Sequence, residues 1–169
     1  MPIEDEPVLN RTVGSENRDS EPLPPRIRRL VTTQPYAVLC THGDGLAYGS
    51  LVAFVFTDDL RTAVFATPVA TRKYRLLSEH QQVALVVDDR PQHQNEMMQV
   101  EAVTATGRVE EIPAGPLRDT HARLFIKRHP QLKSFIAARS SALFQMKIAR
   151  FFHVSRFQEV NQWVPGDRS

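Results

Sequence analysis

The stretch Ala63-Val-Phe-Ala-Thr-Pro-Val-Ala-Thr-Arg-Lys-Tyr74 decides the fold, because an apolar strand runs directly into a helix. Ala63–Ala66 predicts a buried strand that stops at Pro68, since proline has no N–H to donate to a neighbouring strand. Thr71 is a favourable N-cap for the helix that follows. The sequence therefore predicts a strand, a short turn and a capped helix in the middle of the chain.

The first turn of this helix carries two cations, Arg72 and Lys73. Cations there oppose the helix macrodipole, which favours negative charge at that end. Unpaired backbone N–H groups, the Thr71 hydroxyl and the two cations together predict a phosphate site. The alternative is a solvated basic helix start, which is typical of an isolated Thr-Arg-Lys. The strands on either side favour the phosphate site.

Strands dominate the rest of the chain, and helices do not alternate with them regularly. The hydrophobic pattern predicts strands at Tyr36–His42, Gly45–Phe56, Val83–Asp88, Met98–Ile112, Phe144–Phe152 and Val154–Val160. Short helices are predicted at Arg26–Thr33 and Ala114–Arg128, and another from Pro130. Gly107 interrupts its strand and indicates a bulge or a close backbone approach. This order argues against a Rossmann fold and predicts a mainly β, antiparallel barrel with peripheral helices.

This order of hairpin, Thr-Pro-x-x-Thr-Arg-Lys helix and apolar strand resembles the FMN-binding split-barrel superfamily, the pyridoxamine 5'-phosphate oxidase-like proteins. The resemblance covers roughly residues 27–160, and its motif-like part is Thr67–Lys73. It implies a split β-barrel that binds FMN and acts as an oxidoreductase on a small molecule. The isoalloxazine would then perform the redox chemistry, so the absence of a nucleophile–base pattern in the sequence is expected.

The resemblance also assigns the cofactor-binding residues of the strand–turn–helix segment. Thr71, Arg72 and Lys73 would hold the FMN phosphate. Ala66 and Thr67, at the end of the preceding strand, would touch the ribityl chain or the edge of the flavin. The sequence alone identifies no catalytic residue, because a flavoenzyme need not provide a general base of its own.

In this family the isoalloxazine lies along a strand, and a second subunit completes the pocket. The residues that match the strand are Leu51, Val52 and Ala53, whose backbone groups would do the bonding. The polar candidates for the second subunit's contribution are Arg90, Gln92, Asn95, Gln99 and Glu101. A homodimer is therefore expected. The apolar faces of Val83–Val87 and Met98–Ile112, which two short helices would not cover, favour the same assembly.

The sequence departs from the pyridoxamine-phosphate oxidases in two places. Those enzymes carry basic residues on the flavin strand, but none occurs between Tyr48 and Phe56, and no Arg-x-His arrangement is found near Trp163. The substrate is therefore open. Two alternatives remain on the same scaffold: a non-enzymatic flavin- or haem-binding module, and a deazaflavin-dependent reductase.

Composition bounds the remaining possibilities. The 169 residues are 41% hydrophobic and 24% charged, which suits one domain with a real core. No apolar run approaches the length of a membrane span, and no dense Lys/Arg stripe with interleaved aromatics indicates nucleic-acid binding. Cys40 is the only cysteine, so a reducing cytoplasm is expected. Isolated histidines without partners at ligand spacing predict no metal site.

The first 25 residues differ from the rest of the chain. They contain six acidic and two basic residues and end in Pro22-Leu-Pro-Pro25. A segment with so few large apolar side chains cannot offset its ordering entropy. We therefore expect a mobile N-terminal arm at 1–25 and an FMN-binding split-barrel domain at 26–169.

Overall fold

Alternating apolar residues build long antiparallel strands in the computed structural model, which describes residues 21–156 and 159–166. The strands are β1 (Tyr36–Gly43), β2 (Leu46–Phe56), β3 (Thr62–Pro68), β4 (Gln82–Asp88), β5 (Ala102–Glu111), β6 (Ser141–Ser155) and β7 (Glu159–Trp163). The helices are α1 (Leu23–Thr33), α2 (Arg72–Glu79), α3 (Pro116–Arg128) and α4 (Lys133–Ala137).

Six of these strands close into a barrel. They pair in the order β3-β2-β1-β4-β5-β6, and β6 pairs back onto β3, while β7 extends the sheet from β6. The closing pair runs antiparallel from Thr62 opposite Lys147 to Pro68 opposite Ser141. The predicted fold class, a mainly β antiparallel barrel with peripheral helices, is confirmed.

Inward side chains of the six strands fill the barrel. The largest fully buried ones include Phe54, Phe65, Leu85, Phe144 and Phe151. Helix α1 packs Ile27, Leu30 and Val31 onto this core. Helices α3 and α4 cover part of the outer surface, where Phe125 and Ile136 join a second apolar cluster around Val64 and Leu143.

A bulge bends the β5–β6 pair. Thr106 lies opposite Arg150 but Gly107 lies opposite Ile148, which leaves Ala149 as the extra residue. A Cβ on Gly107 would lie 2.1 Å from the carbonyl oxygen of Lys147. Only glycine fits there, and the predicted close backbone approach is confirmed.

Several predicted boundaries were wrong. The two predicted closing strands are present as β6 and β7, but the break between them lies after Ser155 rather than at His153, because β6 stays paired with β5 as far as Val154. β5 begins at Ala102 and not at Met98, because Met97–Gln99 forms an exposed 3₁₀ turn before the inward–outward alternation starts. Helix α1 begins at Leu23, three residues earlier than predicted. Residues 1–20 of the expected N-terminal arm lie outside the described residues.

The apolar faces of β4 and β5, which the sequence analysis expects a second subunit to cover, are covered within the barrel itself. Val83, Leu85 and Val87 on β4 point into the barrel, as do Val103 and Val109 on β5, and all five are buried. They need no second subunit. Apolar surface stays open on the outer face of β1 and β2, where Tyr36 and Leu51 are exposed.

Candidate functional site

The junction between β3 and α2 is held by two threonines. Thr67, at the end of β3, is buried, and its Oγ1 lies 3.2 Å from Oγ1 of Thr71. Thr71 is the N-cap predicted from the sequence: its hydroxyl accepts from the N–H of Tyr74 at 3.2 Å and donates to the carbonyl of Pro68 at 2.8 Å. The threonine pair therefore fixes where α2 starts relative to the barrel.

Two cations follow directly after this cap. Helix geometry leaves the backbone N–H groups of Arg72 and Lys73 without intrahelical acceptors. The Arg72 side chain is exposed, and its Cζ lies 5.2 Å from the centroid of the Tyr48 ring. Lys73 is half-buried, its Nζ donates to the carbonyl of Leu51 at 3.2 Å, and burial lowers the pKa of its ammonium. Positive charge, N–H donors and a hydroxyl thus meet at one helix start.

The Lys73 contact brings β2 against the same site. Leu51 points outward and is 71% exposed, whereas Val52 points into the core and offers only its backbone. Ala53 and Ala66 are partly buried against the apolar cluster under α3 and α4. The structure therefore brings Leu51 and Thr67 to the start of α2, whereas Ala53 and Ala66 pack under α3 and α4.

An open groove of about 470 Å³ lies beside Leu51 on the outer face of the barrel. Val38 forms its floor, between Leu51 on β2 and Val86 on β4. Tyr36, 59% exposed, and Pro91 add apolar surface. The groove is mostly apolar, and Leu51 connects it to the cationic helix start, because the Leu51 carbonyl accepts from Lys73.

The candidate residues between β4 and β5 are divided between this groove and a second cleft. Arg90 lines the groove and is held by Asp88, whose Oδ1 is 2.6 Å from its Nε. Gln92 and Gln99 line a separate cleft of about 350 Å³ between this loop and α1. Asn95 is exposed in a turn of the same loop. Within the described residues, no hydrogen bond joins these side chains to the start of α2.

Glu101 occupies a structural position that the sequence did not indicate. Its Oε2 lies 2.9 Å from Nε2 of fully buried His153 on β6, and its Oε1 lies 3.3 Å from Arg26 on α1. The His153 hydrogen bond, helped by the charge of Arg26, lowers the pKa of Glu101 to about 2. This carboxylate therefore links α1 to the barrel wall.

The sequence matches the family model described as pyridoxamine 5'-phosphate oxidase over residues 23–155. The chain belongs to this family. No curated protein shows significant sequence similarity to it. As a family member it carries the strand–turn–helix segment, residues 62–79, inside the matched region.

Solved structures share the fold at low sequence identity. The Campylobacter jejuni protein ChuZ has a TM-score of 0.74 at 11% identity, covering 90% of this chain and 62% of that one. A haem-binding protein from Mycobacterium smegmatis has a TM-score of 0.73 at 14% identity, covering 86% and 59%. An FAD-binding protein from Mesorhizobium loti has a TM-score of 0.62 at 14% identity, and the match covers 76% of this chain and 91% of that one. The chain thus spans about three fifths of the length of the first two proteins, and these matches show the fold alone.

The residues of this family member fit the flavin that the family implies. A phosphate is bound by cations and N–H donors, and the start of α2 presents both. The exposed guanidinium of Arg72 can supply charge-assisted hydrogen bonds, and Thr71 caps the helix whose first N–H groups are unpaired. The isoalloxazine needs apolar surface to lie on, and the exposed side chains of Leu51 and Tyr36 provide it.

Two further properties concern the described residues only. No three His, Cys, Asp or Glu residues there lie close enough together to hold a metal ion. None of the helices in that part of the chain is long and apolar enough to span a membrane.

The Glu101 contacts predict an acid-sensitive contribution to stability. The pKa of Glu101 is lowered on folding, so the contribution is complete above the usual value of 4.5 and is lost as pH falls towards about 2. Glu101→Gln should lower the free energy of unfolding by about 2 kcal/mol at neutral pH, and the difference from wild type should shrink below pH 4.5. Denaturant unfolding at several pH values checks this; parallel curves for the two proteins would contradict it.

Proposed function

We propose that the chain is an FMN-binding flavoprotein, and that it oxidises or reduces a small molecule. The observation that carries the proposal is the convergence at the start of α2. The N-cap residue Thr71, the unpaired N–H groups and the side chains of Arg72 and Lys73 all belong to this helix start, and Lys73 Nζ donates to the carbonyl of the exposed strand residue Leu51. Family membership supports a flavin as the group held there.

In this proposal the chain's own residues bind and orient. Thr71, Arg72 and Lys73 hold the phosphate by hydrogen bonds and charge. Ala66 and Thr67 contact the ribityl chain or the flavin edge, and the backbone of Leu51–Ala53 aligns the ring. The bound flavin supplies the redox chemistry, and the protein supplies position and electrostatics.

The assembly we propose is a homodimer with the cofactor shared between subunits. Arg90 lines the same groove as Leu51, whereas Gln92, Asn95 and Gln99 do not line it, so in this proposal those three reach the site from a second copy. The groove around Leu51 and Tyr36 leaves apolar surface open, as interfaces do before assembly. Twofold symmetry would place the loop of each subunit at the site of the other.

We expect a stable dimer that buries on the order of 2,000 Å² or more, as obligate interfaces do. FMN should bind at two equivalent sites and raise the melting temperature by mass action. Sedimentation at micromolar concentration, with and without FMN, measures both. A monomer that still binds FMN stoichiometrically would contradict the shared site.

Haem binding is the second candidate, because the neighbour from Mycobacterium smegmatis is a haem-binding protein. A deazaflavin-using reductase on the same scaffold would also use Arg72 and Lys73 for an anionic tail. The absorption spectrum of the purified protein separates the three, since flavin bands, a Soret band and a deazaflavin band differ. Flavin bands are expected. Turnover with reduced nicotinamide and an electron acceptor then distinguishes an enzyme from a binding module.

We place the protein in the cytoplasm. Cys40 is the single cysteine of the chain and lies half-buried on β1. Burial raises the pKa of its thiol, which disfavours the reactive thiolate. A single thiol with no other cysteine in the chain to pair with suits a reducing compartment.

A further inference from the structure

The ring of Tyr48 provides a fixed surface beneath Arg72. The Cζ atom of Arg72 lies 5.2 Å from the ring centroid, within the range of a cation–π contact. Tyr48 is held in the barrel wall, because it pairs with Thr41 of β1 and its carbonyl accepts a hydrogen bond from Thr41 Oγ1 at 3.1 Å. The guanidinium of Arg72 therefore lies over the side chain of a residue whose backbone is paired within the sheet.

This contact leaves the hydrogen-bonding edge of Arg72 available. A cation–π contact uses the charge of the guanidinium and leaves its N–H donors available for hydrogen bonds. Neighbouring cations are engaged differently: Lys73 donates to the Leu51 carbonyl, and Arg75 pairs with Asp44 at 3.0 Å and with Glu79 at 3.3 Å. Among the described residues, Arg72 is the cation of this helix turn that has no hydrogen bond or ion pair.

We propose that Tyr48 is a positioning residue that gives the site its preference for a phosphorylated flavin by holding the guanidinium of Arg72 in place. The inference rests on the proposed FMN function and extends it to a residue outside the Thr67–Lys73 segment. Tyr48 itself contacts no phosphate. It acts by restricting a long side chain before the ligand arrives, which reduces the entropy lost on binding.

The test compares FMN with riboflavin, which lacks the phosphate. Tyr48→Leu removes the π face and should weaken FMN binding by about two- to fivefold while leaving riboflavin binding unchanged. Tyr48→Phe keeps the face and should retain the wild-type ratio of the two affinities. Fluorescence titration of the full-length protein measures both affinities, and melting temperatures verify that each variant is folded.

A double-mutant comparison tests whether Tyr48 acts through Arg72. In an Arg72→Met background, Tyr48→Leu should no longer change the ratio of FMN to riboflavin affinity. A reduced ratio that persists in that background would overturn the inference. So would a wild-type ratio in Tyr48→Leu alone, or an equal loss of affinity for both flavins, which is what a purely structural role predicts.

Failure of the proposed function gives a different result. If wild-type protein binds neither flavin, the FMN proposal and this inference both fall. If wild-type protein prefers FMN to riboflavin but Tyr48→Leu keeps that preference, the FMN proposal stands and the role of Tyr48 is refuted.

Discussion

Replacing both Arg72 and Lys73 with alanine should weaken FMN binding by at least about tenfold, with riboflavin binding little changed. Hydrogen bonds to charged groups contribute about 1.5–3 kcal/mol each. Removing two cations from one phosphate should therefore lower FMN affinity more than tenfold, even if water replaces part of the interaction. The measurement is a pair of titrations, one with each flavin, on wild type and the double variant.

Arg75→Ala is the matched control. It removes a cation from the same helix, but one already engaged by Asp44 and Glu79, so FMN affinity should stay near the wild-type value. Equal FMN affinity in wild type and the double variant would refute the phosphate assignment. A loss shared by both flavins would indicate damage to the whole pocket.

The second large effect concerns the barrel itself. Gly107→Ala should lower the free energy of unfolding by about 3 kcal/mol, because the new methyl group would lie 2.1 Å from the Lys147 carbonyl oxygen. That oxygen belongs to the backbone of β6, so relief requires the β5–β6 pair to move apart at its bulge. Chemical denaturation of both proteins gives the difference.

Gly49→Ala is the comparison for that variant. A Cβ at Gly49, on β2, would lie 3.5 Å from a Val38 methyl group, which is ordinary contact. Its unfolding free energy should be unchanged or slightly higher, since alanine restricts the unfolded chain. Equal stability of Gly107→Ala and wild type would mean that the strands are not packed this closely.

Local sequence signals predicted the central part of the fold and of the site. The N-cap preference of threonine located α2, and the missing N–H of Pro68 marked the end of β3. Positive φ at Asp44 and Gly45 forms the tight turn that the two predicted strands, ending at His42 and starting at Gly45, leave room for. These features depend on interactions within a few residues, which a single sequence contains.

Interactions between distant segments could not be derived in this way. The pairing of β3 with β6 closes the barrel across some 80 residues, and nothing local specifies it. His153 gave no signal of its buried hydrogen bond to Glu101, because the partner lies 52 residues away. No sequence pattern indicated the cation–π contact between Tyr48 and Arg72, because it joins β2 to α2. The loop candidates Gln92 and Gln99 were grouped with the site by the resemblance, but in one chain they line the cleft beside α1.

The most direct test of the central claim is a crystal structure of the protein with FMN. The account predicts the FMN phosphate at the start of α2, within hydrogen-bonding distance of the Arg72 guanidinium and the unpaired N–H groups, with the isoalloxazine along Leu51–Ala53. A phosphate bound away from the start of α2, or crystals grown with FMN that contain no flavin, would contradict it.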